Sequence, residues 1–200
     1  MTNVLIIGAT GTLGRAATAV LAAEKAVKLT LFARHTAALT KTDGVQLIAG
    51  NVMNDADLDQ AMQGQDVVFA ALSGNLKAFA NQIVAAMQRN GVSRLLFITS
   101  MGIYDEIPAS VGSAGNLAHN PVLQTYRAAA DVIEASDLDY TVIRPGWFTN
   151  GPVNYDVTEK GQPFGGHDVS ISSIADLVKR LALDDTLYVK NSVGLNTPES

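Results

Sequence analysis

The 200 residues are enough for one domain with a substantial core and too few for two full domains. Hydrophobic residues make up 48% and charged residues 16% of the chain, which is typical of a folded globular protein and not of a disordered one. The formal net charge of −5 argues against non-specific binding to nucleic acid, and the absence of cysteine excludes disulfides, thiolate catalysis and cysteine-ligated metals.

The amino-terminal segment has no basic leader, and its apolar run is far shorter than the ~18 residues that a membrane span needs. We therefore expect a cytoplasmic protein that contacts neither membranes nor nucleic acid. The histidines have no carboxylates at metal-ligand spacing, so we predict no metal site. We expect a small-molecule substrate and either a monomer or a homodimer.

Short, almost wholly apolar runs recur along the chain and predict strands. These runs are 4–8, 29–33, 45–50, 66–72, 94–100 and 140–144. Because they do not alternate polar with apolar residues, both faces of each strand should be buried, as in a parallel sheet covered by helices.

Segments with helical spacing lie between most of these strands. They are Leu13–Lys25, Asp55–Gln63, Leu76–Asn90 and Val122–Ser136. A further strand at "DVSIS" and a helix at "SIADLVKRLAL" follow, with a last strand near "TLYVK". The alternation predicts one α/β domain over residues 1–200, a doubly wound parallel sheet in three αβα layers, with a small substrate-side extension from about 145 to 200.

The segment "VLIIGATGTLGR" puts three glycines, Gly8, Gly11 and Gly14, at the turn from the first strand into the first helix. Such glycines allow a tight turn, a close approach of pyrophosphate to the backbone, and close packing of helix on strand. The N–H groups at the helix start face the anion, and threonine hydroxyls add donors. The predicted phosphate-binding residues are Gly8, Thr10, Gly11, Thr12 and Leu13.

The end of the second strand indicates which dinucleotide is bound. An NAD site usually has an acidic residue about 20 positions after the glycines, but no acid occurs between Lys25 and Asp43, and Arg34 stands at the expected place. A guanidinium pairs with the extra phosphate of NADP, which a carboxylate would repel. We therefore predict NADP(H) over NAD, with possible help from Arg15 and His35.

Five motifs, in order, are "GATGTLG", "AGNVMN", "FAALSG", "FITSMGIY" and "SDLDYTVIRPG". Together they resemble the short-chain dehydrogenase/reductase superfamily, from Val4 to about Leu183. The nearest resemblance is to its small atypical branch, the NmrA-like and biliverdin/flavin-reductase-like NAD(P)H-binding proteins, which have a Rossmann fold.

At the adenosine end, the resemblance implies a role for two segments that follow strands. Asn51 and Val52 would lie at the adenine, where many relatives have Asp-Val. Ala71, Leu72 and Ser73 would line the adenosine and its ribose.

At the nicotinamide end, the resemblance makes Ser100 the active-site serine, four residues before Tyr104, with Thr99 also contacting the cofactor. Pro145 and Gly146 would lie by the nicotinamide. Trp147 and Phe148 would follow them over the substrate pocket.

Aromatic residues follow the sixth strand, and they are Trp147, Phe148, Tyr155 and Phe164. They suit either stacking on a flat substrate or packing over the sheet edge. His119, in the loop before the "QTYR" helix, is more typical of a solvated loop residue than of a proton donor.

The resemblance fails at Tyr126, because most relatives have a tyrosine followed four residues later by a lysine. In one register Tyr126 replaces the lysine and Val122 the tyrosine; in the other Tyr126 is the tyrosine and Ala130 replaces the lysine. Both registers point Tyr126 towards the cofactor cleft, and the first needs no gap before the "RPG" motif.

Without the lysine, Tyr126 would be a poor base for alcohol oxidation, although it could still donate a hydrogen bond or a proton. Hydride transfer to a flavin or quinone needs less proton help. We therefore predict an NADPH-dependent reductase of a small planar acceptor, with Ser100 and Tyr126 as its catalytic residues. The alternative is a non-catalytic, NADP(H)-sensing NmrA-like regulator, and a nucleotide-sugar epimerase or dehydratase ranks last.

Overall fold

A computed structural model describes residues 1–198 and 200. Its main sheet has the strand order β3-β2-β1-β4-β5-β6-β10-β8, in which every pairing is parallel except that of β8 with β10. Strands β7 and β9 form a separate parallel pair. The strands are β1 Thr2–Ile7, β2 Val27–Ala33, β3 Val45–Ala49, β4 Val67–Ala70, β5 Arg94–Ile98, β6 Asp139–Pro145, β7 Trp147–Thr149, β8 Asp156–Glu159, β9 Asp168–Ser170 and β10 Asn191–Asn196.

Helices cover both faces of the sheet. Helices α1 (Thr12–Ala22) and α5 (Ile171–Leu183) pack together over one apolar core. Helices α2 (Asp55–Met62), α3 (Leu76–Asn90) and α4 (Gln124–Glu134) cover the second core on the other face. This arrangement confirms the predicted single-domain, three-layer Rossmann architecture. No helix in the described residues is long and apolar enough to cross a membrane.

The predicted bounds of α3 are correct, and Gly91 ends that helix in the left-handed region with φ 68°. Other predicted helices extend too far: α1 ends at Ala22 instead of Lys25, and α2 ends at Met62 instead of Gln63. Helix α4 begins at Gln124, because Pro121–Leu123 forms a 3-10 turn before it.

The predicted last strand is present, but it begins directly after "TLYVK" instead of within it. Those residues form turns, with Tyr188 and Lys190 at φ 49° and 54°, and the strand is the polar segment Asn191–Asn196. Gly194 is needed there, because a Cβ at this position would lie 2.5 Å from the buried ring of Phe164. Tertiary packing therefore outweighs the local strand propensity of the preceding residues.

Candidate active site

The carboxyl ends of the parallel strands meet at one edge of the sheet, where ligands bind in this architecture. The chain runs outwards from β1 through β2 to β3, and then returns to β4 on the other side of β1. The order reverses between β1 and β4, which opens a crevice beside the glycine turn.

Within the glycine turn, Gly8 and Gly14 are required by the protein's own packing. Gly8 has φ 89°, and a Cβ there would lie 2.2 Å from the carbonyl oxygen of Ala71 at the end of β4. A Cβ on Gly14 would lie 2.2 Å from the carbonyl oxygen of Gly8. Both glycines hold β1, α1 and β4 close together.

Gly11 has a different environment, since the nearest atom to an added Cβ would be the Gly8 carbonyl oxygen at 3.3 Å. It is the N-cap of α1, and within the described residues no side chain caps this helix end. The N–H groups of the first helical turn are therefore available to an anion. This turn fits the pyrophosphate of a dinucleotide.

Arg34 directly follows β2, and its side chain is exposed. The neighbouring Phe32 carbonyl accepts the N–H groups of Gly8 and Ala9 at 3.1 and 3.3 Å, so Arg34 lies near the glycine turn. Arg15 donates from Nε to the Thr10 carbonyl at 3.0 Å and from Nη1 to the Ala38 carbonyl at 3.3 Å. Its guanidinium thus ties the loop after β2 to the glycine turn.

The two segments assigned to adenosine lie on the same edge of the sheet. The Asn51 side chain accepts the backbone N–H of Met53 at 3.0 Å, and the Asn51 backbone N–H donates to the Asp57 carboxylate at 2.8 Å, so two hydrogen bonds hold this turn. Val52 is buried. Ala71, Leu72 and Ser73 follow β4 beside the glycine turn, and Ala71 donates its N–H to Ile7 at 3.1 Å.

Beyond the carboxyl ends of β5 and β6 lies a cavity of about 890 Å³, which we call the substrate cavity. It contains all the residues predicted at the nicotinamide end, whereas the predicted phosphate and adenosine residues do not line it. The predicted residues that line it are Thr99, Ser100, Tyr126, Pro145, Gly146, Trp147 and Phe148. The other lining residues are Met101, Ile107, Val111, Gly112, Ala114, Gly115, Asn120, Val122, Leu123 and His167.

The strand-end serine and threonine at this cavity differ in burial and in their hydrogen bonds. Thr99 is buried and donates its hydroxyl to the Ile143 carbonyl of β6 at 3.1 Å. Ser100 is half-buried, and among the described residues its hydroxyl reaches only the carbonyl of Met101, at 3.0 Å. Ser100 is therefore the hydroxyl that can turn to a ligand.

Helix α4 and the turn before it present Tyr126 and Val122 to the cavity, four residues apart. The Ala130 side chain is completely buried in the core and does not line the cavity. This geometry favours the register in which Tyr126 stands at the lysine position and Val122 at the tyrosine position.

The four aromatic residues after β6 divide into two pairs. Trp147 and Phe148 line the cavity with 65% and 49% of their area exposed. Phe164 is buried beneath the Arg144 guanidinium, and Tyr155 hydrogen-bonds to Asp176 and Arg180 on α5. Only the first pair is free to stack on a flat ligand.

His167 is the functional candidate that sequence reasoning missed. It lines the cavity, its ring lies over Trp147 at 6.1 Å between centroids, and its Nδ1 is 2.6 Å from Asp168 Oδ1. In the sequence it is an isolated histidine within "GGHD", and only the pairing of β7 with β9 brings it beside Trp147. His119 is exposed and does not line the cavity.

The charge of the cavity walls is low, because no aspartate, glutamate, lysine or arginine of the described residues lines them. The titratable side chains among the lining residues are Tyr126 and His167. Within residues 1–198 and 200, no three acidic or histidine side chains cluster so as to hold a metal ion. The walls formed by the described residues are therefore mostly uncharged.

Comparison with known proteins agrees with this geometry. A Rossmann-fold NAD(P)-binding family protein from Shigella flexneri is 39% identical, with a TM-score of 0.87 over 100% of this chain and 95% of that chain. A short-chain dehydrogenase/reductase from Veillonella parvula, solved in complex with NADP, is 25% identical, with a TM-score of 0.90 over 99% of this chain and 95% of that chain.

A curated relative from Streptomyces griseus, a (4-alkanoyl-5-oxo-2,5-dihydrofuran-3-yl)methyl phosphate reductase, is 26% identical over 153 residues. The match covers 76% of this chain and 50% of the relative, so this chain spans about half the length of that enzyme. The resemblance to atypical short-chain dehydrogenase/reductases is confirmed. Residues 8–185 match a family described as NAD(P)H-binding, and the chain belongs to that family.

Proposed function

We propose that the protein is an NADPH-dependent reductase of a small planar acceptor, a flavin or a quinone. The observation that carries this proposal is the substrate cavity, in which two exposed aromatic side chains, Trp147 and Phe148, adjoin Pro145, Gly146 and Ser100. Exposed aromatic rings beside a nicotinamide site suit a flat, conjugated acceptor. The reductase activity of the Streptomyces relative supports the same reaction class.

Different residues of the chain would bind different parts of NADPH. The turn at Gly8, Gly11 and Thr12 would hold the pyrophosphate, and Arg34 would bind the 2′-phosphate of NADP. Asn51, Val52 and Ala71 to Ser73 would line the adenosine. Pro145 and Gly146 would support the nicotinamide, which supplies the hydride when bound.

At the reacting end, we propose that Ser100 donates a hydrogen bond to a carbonyl or ring nitrogen of the acceptor. Tyr126 would border the acceptor as a hydrogen-bond donor, since no lysine stands at either family position to make it a base. Trp147 and Phe148 would exclude water and orient the acceptor plane. A planar electrophile needs little more from the protein than this positioning.

Anaerobic stopped-flow mixing with NADPH and a panel of menadione, riboflavin and FMN tests the proposal, with NADPH absorbance as the signal. We expect saturable oxidation with at least one acceptor. The Ser100→Ala variant should lose about tenfold or more in kcat. Ser110→Ala, which removes an exposed serine outside the cavity, is the matched control and should react like the wild type.

No oxidation above background with any acceptor would contradict the reductase proposal. If that result came with a large difference in affinity between NADP⁺ and NADPH, it would favour the NADP(H)-sensing alternative instead. Isothermal titration with the two forms of the dinucleotide measures that difference directly.

A further inference from the structure

The His167 side chain has one ring nitrogen fixed and one free. Nδ1 lies 2.6 Å from Asp168 Oδ1, so a proton on Nδ1 is donated to the carboxylate. Within the described part of the chain, Nε2 has no hydrogen-bond partner. A carboxylate that holds Nδ1–H selects the tautomer, orients the ring and stabilises the imidazolium.

The backbone around His167 fixes the ring at the edge of the substrate cavity. The His167 carbonyl accepts the N–H of Trp147 at 2.9 Å, and it would lie 2.5 Å from a Cβ on Gly146. Strand β9 is therefore pressed against the turn proposed to support the nicotinamide. The imidazole stacks on Trp147 with an angle of 15° between the planes, so a ligand stacked on Trp147 would lie within reach of it.

We propose that His167 is the proton donor of the reduction, that Asp168 is its positioning residue, and that the acceptor is an uncharged quinone. This proposal rests on the proposed reductase function. The imidazole lines the same cavity as Ser100 and Tyr126, and imidazole is the side chain that most often serves as a general acid or base in catalysis.

The reaction balances with these groups. When bound, NADPH would supply a hydride from C4 to one quinone oxygen, so that the C4–H bond breaks and the first O–H bond of the hydroquinone forms. The electron pair would leave the other quinone oxygen as an oxyanion, and the cofactor would become NADP⁺. The developing oxyanion takes the proton from Nε2 of the His167 imidazolium, and the N–H bond breaks as the second O–H bond of the hydroquinone forms. The neutral imidazole regains a proton from water, to which the side chain is accessible, being 48% exposed.

The choice of an uncharged acceptor follows from the walls of the cavity. Acceptors with a phosphate or carboxylates need a cation to compensate the loss of hydration. No lysine or arginine of the described residues lines the cavity, and the positive charge of a His167 imidazolium is already balanced by Asp168. A neutral quinone needs only hydrogen-bond donors at its oxygens and an aromatic surface for its ring. Ser100, His167 and Trp147 together provide these.

The kinetic test compares His167→Gln with His119→Gln, a matched removal of an exposed histidine outside the cavity. With NADPH and menadione, we expect kcat to fall by about 10²-fold or more in His167→Gln, with little change in KM. His119→Gln should react like the wild type. The wild type should also reduce menadione with a higher kcat/KM than it reduces FMN.

The second readout does not depend on turnover. Long-range ¹H–¹⁵N NMR spectra of protein with ¹⁵N-labelled histidine distinguish the two neutral tautomers. We expect the neutral form of His167 in the free protein to carry its proton on Nδ1. In Asp168→Asn the side-chain amide can donate to Nδ1, so the other tautomer should gain population and kcat should fall. If Asp168 had a purely structural role, the fall in kcat would not be accompanied by a change in the His167 tautomer.

Two results overturn the inference while the reductase proposal stands: His167→Gln as active as the wild type, or a neutral form of wild-type His167 that carries its proton on Nε2. FMN preferred over menadione would overturn the choice of an uncharged acceptor. If none of the acceptors supports NADPH oxidation by the wild type, the reductase proposal itself fails, and the assignment of His167 as proton donor fails with it.

Discussion

Arg144 on β6 and Glu106 in the loop after β5 form an ion pair almost completely removed from solvent, with side-chain exposures of 0% and 5%. The Glu106 carboxylate also accepts the N–H groups of Gly102 at 3.0 Å and Tyr104 at 2.8 Å. It thereby fixes the start of the loop that forms one wall of the substrate cavity. Ser192 accepts a further hydrogen bond from Arg144 Nε at 3.1 Å.

Replacing Glu106 by glutamine should destabilise the protein strongly. The change leaves the buried Arg144 guanidinium without its counter-charge, and breaking one partner of a buried pair costs about 3–5 kcal/mol. Urea unfolding followed by circular dichroism measures the loss. Asp131→Asn is the matched control, because its ion pair with Arg127 is exposed and should contribute no more than about 1 kcal/mol. Equal losses of unfolding free energy in the two variants would show that the buried Arg144–Glu106 pair contributes no more to stability than an exposed ion pair.

Alanine substitutions at two glycines of the turn should affect different properties, stability at Gly14 and cofactor affinity at Gly11. A Cβ at Gly14 would lie 2.2 Å from backbone, whereas a Cβ at Gly11 meets its nearest atom only at 3.3 Å. Gly14→Ala should therefore lose about 1–3 kcal/mol of stability through overpacking. Gly11→Ala should lose less stability than Gly14→Ala, but its methyl group would face the pyrophosphate and weaken NADPH binding by about tenfold or more.

Thermal unfolding without ligand and fluorescence titration with NADPH distinguish these two effects. A Gly11→Ala variant that binds NADPH as tightly as the wild type would contradict the proposed approach of the pyrophosphate to this turn.

Arg34→Ala should reduce the preference for NADPH over NADH. A charge-assisted hydrogen bond to phosphate contributes about 1.5–3 kcal/mol, so the affinity for NADPH should fall by about 10- to 100-fold while that for NADH changes little. Lys41→Ala removes an exposed cation further along the same loop and serves as the control. Titration of each variant with both dinucleotides gives the ratio. An unchanged ratio in Arg34→Ala would leave no basis for NADP selectivity at this residue.

The parts of the fold that the sequence predicts well are those set by local patterns. The buried strands have no polar alternation, α3 stops at Gly91 as predicted, and the glycine turn joins β1 to α1 as the spacing requires. These features depend on residues that are close together in the chain.

Features created by distant contacts could not be predicted in the same way. Strand β10 has a polar, glycine-containing sequence, and it forms because Gly194 leaves room for Phe164 and Ser192 accepts from Arg144. His167 reaches the cavity only through the pairing of β7 with β9. A histidine that follows two glycines carries no local sign of either contact.

Stability at high pH should depend on Tyr104. Burial of its ring, followed by the hydrogen bond to the Glu134 carboxylate, raises the pKa of this phenol well above its usual value of 10.0. Above pH 10 the unfolded chain therefore loses this proton while the folded protein keeps it. The contribution of protonated Tyr104 to the free energy of unfolding is therefore complete below pH 10, and it is lost as the pH rises towards the folded-state pKa. The loss should be less than about 1.4 kcal/mol per pH unit, because the ring is partly exposed to solvent.

Tyr104→Phe removes this titration together with the hydroxyl's hydrogen bonds to Glu134 and Ser192. The variant should be less stable than the wild type at pH 8, and its stability should fall less steeply between pH 10 and pH 11.5. Urea unfolding at half-unit intervals of pH measures both slopes. The two proteins share every other titrating group, so a difference between their slopes of unfolding free energy against pH comes from Tyr104. Parallel slopes would mean that the folded protein does not bind this proton more tightly than the unfolded chain.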